Sequence, residues 1–133
     1  MRVADVMTTD VVSINEHAPL VDAAVMLADS HIGGLAVVNE RQQLVGVISA
    51  TDILTAQAEA RDDKSRARIL RETRVAEVMS LEPLVISPEA TVRAAAQEME
   101  YADVHRLFVV VDARPVGVIS RSDVSRAHSL GRM

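Results

Sequence analysis

The chain states one pattern twice. Residues Val3–Leu54 carry VADVMTTDVVSI, then HIGGLAVV, then LVGVISATDIL; residues Val75–Ser125 carry VAEVMSLEPLVI, then VHRLFVVV, then PVGVISRSDVS. The offset between copies is 72 residues from Val3/Val75 to Val38/Val110 and 71 from Val45/Val116 to Asp52/Asp123, so one residue is lost in the turn between. A duplication of this kind restricts the fold to two copies of one unit. A copy of about 50 residues is marginal alone. The copies are therefore expected to pack together with pseudo-two-fold symmetry, and a cleft between them is the natural place for a ligand.

Each copy parses in the same order. A short helical turn (Val3–Met7, Val75–Met79) leads to a strand (Val11–Ile14, Leu84–Ile86). Pro19 and Thr91 stand where a helix starts, Pro being suited to a first helical position. Leu20, Ala23, Ala24 and Leu27, and again Val92, Ala95, Ala96 and Met99, recur at i, i+3, i+4 and i+7, one buried stripe of an amphipathic helix. Two β-rich runs follow in each copy, Leu35–Asn39 with Leu44–Ser49 and Leu107–Val111 with Val116–Ser120, and their continuous Val and Ile content predicts burial on both faces. A helix begins after each hairpin, near Thr51 and Ser122. The fold class is α+β, a tandem β-α-β-β-α unit. By sequence, repeat 1 spans 1–55, a charged helical extension and linker 56–74, repeat 2 75–127, and a C-terminal tail 128–133.

Composition narrows the function classes. Hydrophobic residues make up 49% of the chain with Tyr101 and Phe108 as its only aromatics, so an aliphatic core is expected and wholesale disorder is excluded. The net charge is −5, and no dense basic patch is interleaved with aromatics, so nucleic acid is not an expected partner. The absence of cysteine removes disulfides, thiolate nucleophiles and zinc–thiolate sites together. No run approaches the roughly 18 apolar residues of a membrane span, and the first residues lack the apolar segment of a secretory signal. A cytoplasmic protein without a membrane partner is the expectation.

The chemistry is concentrated in a repeated heptad, Gly46-Val-Ile-Ser49-Ala-Thr51-Asp52 and Gly117-Val-Ile-Ser120-Arg-Ser122-Asp123. Each places three polar side chains where a strand gives way to a helix. Backbone N–H groups at such a junction suit a phosphate, Ser and Thr hydroxyls add donors, and the Asp carboxylate can accept both hydroxyls of a ribose. That is half of a nucleotide site. The same Ser-x-x-Asp spacing is also a capping box, and duplication copies caps as readily as sites. Both readings stand at this point.

The doubled pattern VxxVM…LxVV…GVIS-x-[ST]-D, with a His shortly before each LxVV (His31 and His105), resembles the CBS (cystathionine-β-synthase-type) domain family, and the whole chain resembles one stand-alone CBS pair. The resemblance implies intertwined β-α-β-β-α repeats whose clefts bind adenosine nucleotides (AMP, ADP, ATP), NAD or S-adenosylmethionine, as a regulatory ligand with no obligatory cofactor. It implies one site formed by Ser49, Thr51 and Asp52 with Leu84, Val104, His105 and Arg106. A second and weaker site would join Ser120, Ser122 and Asp123 to Val12, Ile32, Gly33 and Gly34. His105-Arg106 resembles a basic pair that neutralises phosphate, while Gly33-Gly34 brings no charge. Family members often carry Pro where this chain has Ala36 and Phe108.

The expected function is therefore a regulatory ligand-sensing module, a homodimer acting on an unknown effector protein, and not an enzyme. The alternatives are a structural homodimerisation domain with vacant clefts, or a nucleic-acid-linked regulator using Arg66, Arg68, Arg71 and Arg74. No nucleophile elbow, P-loop or metal-ligand spacing is present, so neither catalytic nor metal-binding residues are assigned. His31 is expected to cap the first long helix, and Met7 and Met79 to pack in the core.

Overall fold

The computed structural model describes residues 1–81 and 83–131. Of the tail assigned to 128–133, residues 132 and 133 lie outside the described residues. The chain folds into two compact units that do not follow the sequence repeats: it divides at Val11/Val12 and again at Glu82/Pro83, and Met1–Val11 belongs with the C-terminal part.

The unit from Val12 onward holds strands β1 (Ser13–Asn15), β2 (Gly34–Val38) and β3 (Leu44–Ser49) and helices α1 (Leu20–Ser30), α2 (Ala50–Ala56) and α3 (Asp63–Glu72). Its sheet has the order β1-β2-β3, with β1 parallel and β3 antiparallel to β2. The central strand β2 is buried at every residue, while β3 alternates. Burial on both faces is thus a property of the middle strand, which has neighbours on either side as well as a helical layer to cover. Leu20, Ala23 and Leu27 of α1 join Ile14, Leu35, Val37 and Ile48 in one apolar core. Pro19 is the N-cap and not the first helical residue. His31 does end the helix, in the left-handed region at φ 53°.

The chain between the repeats does not prolong α2. It stops at Ala56, turns, and starts α3 afresh, with the Asp62 carboxylate accepting the N–H of Ser65 at 2.8 Å. Helix α3 packs along α1, and Ile69 and Leu70 lie half-buried against the core. Two apolar residues in an otherwise charged stretch are enough to dock it.

The other unit repeats the arrangement with β4 (Val85–Ile86), β5 (Arg106–Val111), β6 (Arg114–Ser120), α4 (Val92–Ala102) and α5 (Arg121–Ser129), in sheet order β4-β5-β6. Val92, Ala95 and Met99 are its buried helical stripe. Phe108 is buried on β5. The register slips at Val37/Val38 and again at Val109/Val110, so the duplication copied a bulge. The missing residue falls in the hairpin turn. In the first copy the Asn39 carboxamide oxygen accepts the N–H groups of Arg41 and Gln43, at 2.9 and 3.0 Å. In the second, Asp112 and Ala113 make the whole turn, at φ 52° and 66°, the two-residue loop that suits strand twist.

The opening segments are exchanged. Val3 is fully buried among Ala95, Met99, Leu107, Val109 and Ile119, held by Val3 N–H to Ala90 O at 2.8 Å and Ala4 N–H to Pro88 O at 3.0 Å. Val75 is likewise buried with Leu20, Leu35 and Ile48, through Val75 N–H to Ala18 O at 2.9 Å and Ala76 N–H to Glu16 O at 2.9 Å. Each VxxVM segment therefore completes the core built by the other repeat. Met7 and Met79 pack against these cores.

Candidate functional site

Both Ser-x-[ST]-Asp segments cap helices. Ser49 Oγ accepts the N–H of Asp52 at 3.2 Å and Asp52 Oδ2 accepts the N–H of Ser49 at 2.9 Å. Ser120 and Asp123 repeat this at 3.2 and 2.9 Å. A capping box uses one carboxylate oxygen and leaves the other available. The cap and the nucleotide half-site are thus compatible readings of one acid.

The second oxygens differ. Asp52 is half-buried, and among the described residues its Oδ1 accepts only from the Ser80 hydroxyl, at 3.5 Å. Asp123 is 5% exposed, and its Oδ1 accepts from the Arg126 guanidinium. Thr51 and Ser122 are exposed at the mouths of α2 and α5.

Hairpin register decides which neighbours each motif has. Gly34 pairs with Ser49 across β2–β3, and Arg106 pairs with Ser120 across β5–β6. Ser49, Thr51 and Asp52 therefore share a unit with Val12, Ile32, Gly33 and Gly34. Val12 O accepts the Ala36 N–H at 3.3 Å, and both Val12 and Ile32 pack on the core. Ser120, Ser122 and Asp123 share the other unit with Leu84, Val104, His105 and Arg106. There His105, Arg106, Ser120, Arg121 and Ser122 line one cavity of about 290 Å³ with Val118. Leu84 O accepts the Phe108 N–H at 3.1 Å. Arg121 is turned away from the heptad's acid, its Nε donating to Val104 O at 3.0 Å and its guanidinium 3.7 Å from Asp103 Oδ1.

A second cavity, of about 360 Å³, lies between α5 and the opening segment and is lined by Met7, Thr8, Asp123 and Arg126 among others. Sequence reasoning passed over Arg126, although a cation three residues after an acid on a helix is a recognisable pair. It also passed over Ser80 and Thr8. Each follows the VxxVM methionine and makes an antiparallel bridge to the last strand, with Ser80 to Val47 and Thr8 to Val118. Among the described residues, no three His, Cys, Asp or Glu side chains gather as a metal site, and no helix is long and apolar enough to cross a membrane.

Two stretches of the chain, residues 3–59 and 75–129, match the CBS domain family. The chain belongs to that family. The CBS domain-containing protein YhcV of Bacillus subtilis is 30% identical over 124 residues, covering 92% of this chain and 82% of the relative. The homoserine O-acetyltransferase of Methanococcoides burtonii is 33% identical over 125 residues, which is 93% of this chain but 23% of the relative. This chain thus spans about a quarter of that enzyme's length, the CBS region alone. The solved structure of CBSX2 in complex with AMP superposes with a TM-score of 0.80 at 27% identity, covering 99% of this chain and 98% of that one. The α+β architecture with two three-stranded sheets is that of a CBS pair.

Proposed function

We propose that this chain is a regulatory module that binds an adenosine-containing ligand, AMP, ADP, ATP, NAD or S-adenosylmethionine, and passes its presence to an effector protein. The observation that carries the reading is the second oxygen of Asp52. The capping box holds the carboxylate by Oδ2 and leaves Oδ1 for a ribose diol, with the Thr51 hydroxyl exposed beside it. The AMP complex of CBSX2 supports the ligand class.

In this reading Ser49, Thr51 and Asp52 carry the ribose half of the stronger site. Arg106 and His105 supply charge for phosphate, Arg being the better geometric match. Ser120, Ser122 and Asp123 carry that half of the weaker one. The module is non-catalytic and cytoplasmic. It works as a homodimer, for which the exposed apolar side chains of Val25 on α1 and Leu54 on α2, 53% and 68% accessible, offer a surface.

Nucleic acid finds less support. Arg66 is paired with Asp63, and Arg74 donates to His17 O at 2.5 Å, so two of the four candidate arginines are engaged within the fold.

Thermal shift against a panel of adenosine compounds tests the reading. A ligand present at 100 times its dissociation constant adds about 2.7 kcal/mol to stability. A flat response to every compound at millimolar concentration would leave the structural dimerisation role standing in its place.

A further inference from the structure

The two heptads fold alike but differ one turn later. Three residues after Asp123 stands Arg126; three residues after Asp52 stands Thr55. The Arg126 guanidinium donates to Asp123 Oδ1, so that carboxylate has both oxygens in use, Oδ2 on the Ser120 N–H. The Asp123 side chain is 7% exposed and that of Arg126 is 66% exposed. The cation therefore covers the acid from the solvent side, and both line the 360 Å³ cavity that also reaches Met7 and Thr8. Asp52 makes no ion pair among the described residues, and Thr55 has no charge to offer it.

A carboxylate still has lone pairs to offer in this state, but with its side chain 7% exposed beneath the guanidinium a ribose diol reaches it only in competition with that charge-assisted hydrogen bond. We propose that Arg126 is a built-in competitor that closes the Asp123 half to the ribose of adenosine ligands, leaving Asp52 as the working acceptor. The proposal rests on the adenosine-ligand reading and adds to it a cause for inequality between two near-identical motifs. The competitor lowers apparent affinity by the fraction of molecules in which Asp123 is uncovered. A charge-assisted hydrogen bond corresponds to roughly a 10- to 150-fold effect. Arg121 does not take over this role, being held by Val104 O and Asp103.

Calorimetric titration with AMP tests it, using the wild type, Arg126→Thr and the double variant Arg126→Thr/Asp123→Ala. Thr reproduces what the other copy carries at this position, and Arg126→Gln serves as a second neutral variant. The expected result is one AMP per chain for the wild type. Arg126→Thr should gain a second AMP, bound roughly 10- to 150-fold more tightly than any second event in the wild type. Asp123→Ala should abolish that gain. The proposal is overturned if Arg126→Thr and Arg126→Gln titrate like the wild type, or if the wild type already takes two AMP with equal affinity. If the wild type takes none but Arg126→Thr takes one that depends on Asp123, the competitor stands and the assignment to Asp52 fails. If neither takes any, both fail.

Discussion

Gly117 lies directly against Met7. A Cβ at Gly117 would sit 2.6 Å from Met7 Sδ and 3.0 Å from the Thr8 carbonyl oxygen, and one at Gly46 would sit 2.7 Å from Met79 Sδ and 2.9 Å from the Ser80 oxygen. The thioether can move aside, but the carbonyls cannot, because Thr8 O accepts from Val118 N–H at 2.9 Å and Ser80 O from Val47 N–H at 3.0 Å. The Met of VxxVM and the Gly of GVIS are thus two halves of one contact. Gly46→Ala and Gly117→Ala should each destabilise by about 1–3 kcal/mol, as overpacking does. Urea denaturation reads this directly, and an unchanged midpoint would show that the opening segment is not held as described.

Gly34→Ala provides the contrast. Its Cβ would meet Val47 Cγ2 at 3.2 Å and the Ile48 oxygen at 3.5 Å. A side chain that gives a few tenths of an ångström relieves most of that contact. The cost should be smaller than at Gly46 in the same assay.

Ala113 carries backbone strain that glycine would remove. It sits at φ 66° in the two-residue turn between β5 and β6, where an L side chain is disfavoured by roughly 1–2 kcal/mol. Ala113→Gly should raise stability by up to about 1 kcal/mol, since glycine's greater freedom in the unfolded chain offsets part of the gain. A lowered melting temperature would contradict this turn geometry.

Asp62 sets a pH dependence for α3. Its carboxyl is held below the ordinary Asp value, chiefly by the backbone hydrogen bond from Ser65 and then by the Ser65 side chain. A depressed pKa stabilises the fold above the unfolded-state value, and that contribution is lost as pH falls through the folded-state value. The stability difference between wild type and Asp62→Asn should stay constant above about pH 5 and shrink below about pH 4. Thermal melts across that range decide it. A difference independent of pH would mean that the cap does not depend on charge.

These particulars show what the sequence could reveal. The fold class, the central strands, the helical stripes and the membership in the family were legible because duplication repeats core positions such as Leu35/Leu107 and Ile48/Ile119, 72 and 71 residues apart, and all four are fully buried. The family resemblance implies intertwined repeats, but the exchange of Val3 and Val75 was not legible in the residues themselves. Burial of a Val in a VxxVM segment says that it packs, not against which copy. Helix α3 was missed as a separate element because Ile69 and Leu70 are its only large apolar residues, too few to give a periodic stripe. At the heptads, sequence alone could not choose between cap and ligand acceptor, since one carboxylate has an oxygen for each. The contrast of His105-Arg106 with Gly33-Gly34 is plain in the sequence, while the pairing of Arg126 with Asp123 lies one helical turn beyond the heptad.

The phosphate role proposed for Arg106 can be tested apart from ribose recognition. Arg106→Ala should weaken AMP by roughly 10- to 150-fold through loss of a charge-assisted hydrogen bond, while sparing adenosine and S-adenosylmethionine. Parallel titrations of the three ligands check this, and equal loss for all would make Arg106 a structural residue of β5.

The proposed adenosine-ligand site turns on Asp52 as its ribose acceptor. Calorimetric titration of AMP into the wild type, Asp52→Ala and Asp123→Ala decides whether it is. The wild type should take one AMP per chain, Asp52→Ala should lose that binding, and Asp123→Ala should keep it even as stability falls by about 1 kcal/mol or more from the broken cap. Binding that survives in Asp52→Ala and disappears in Asp123→Ala would contradict it.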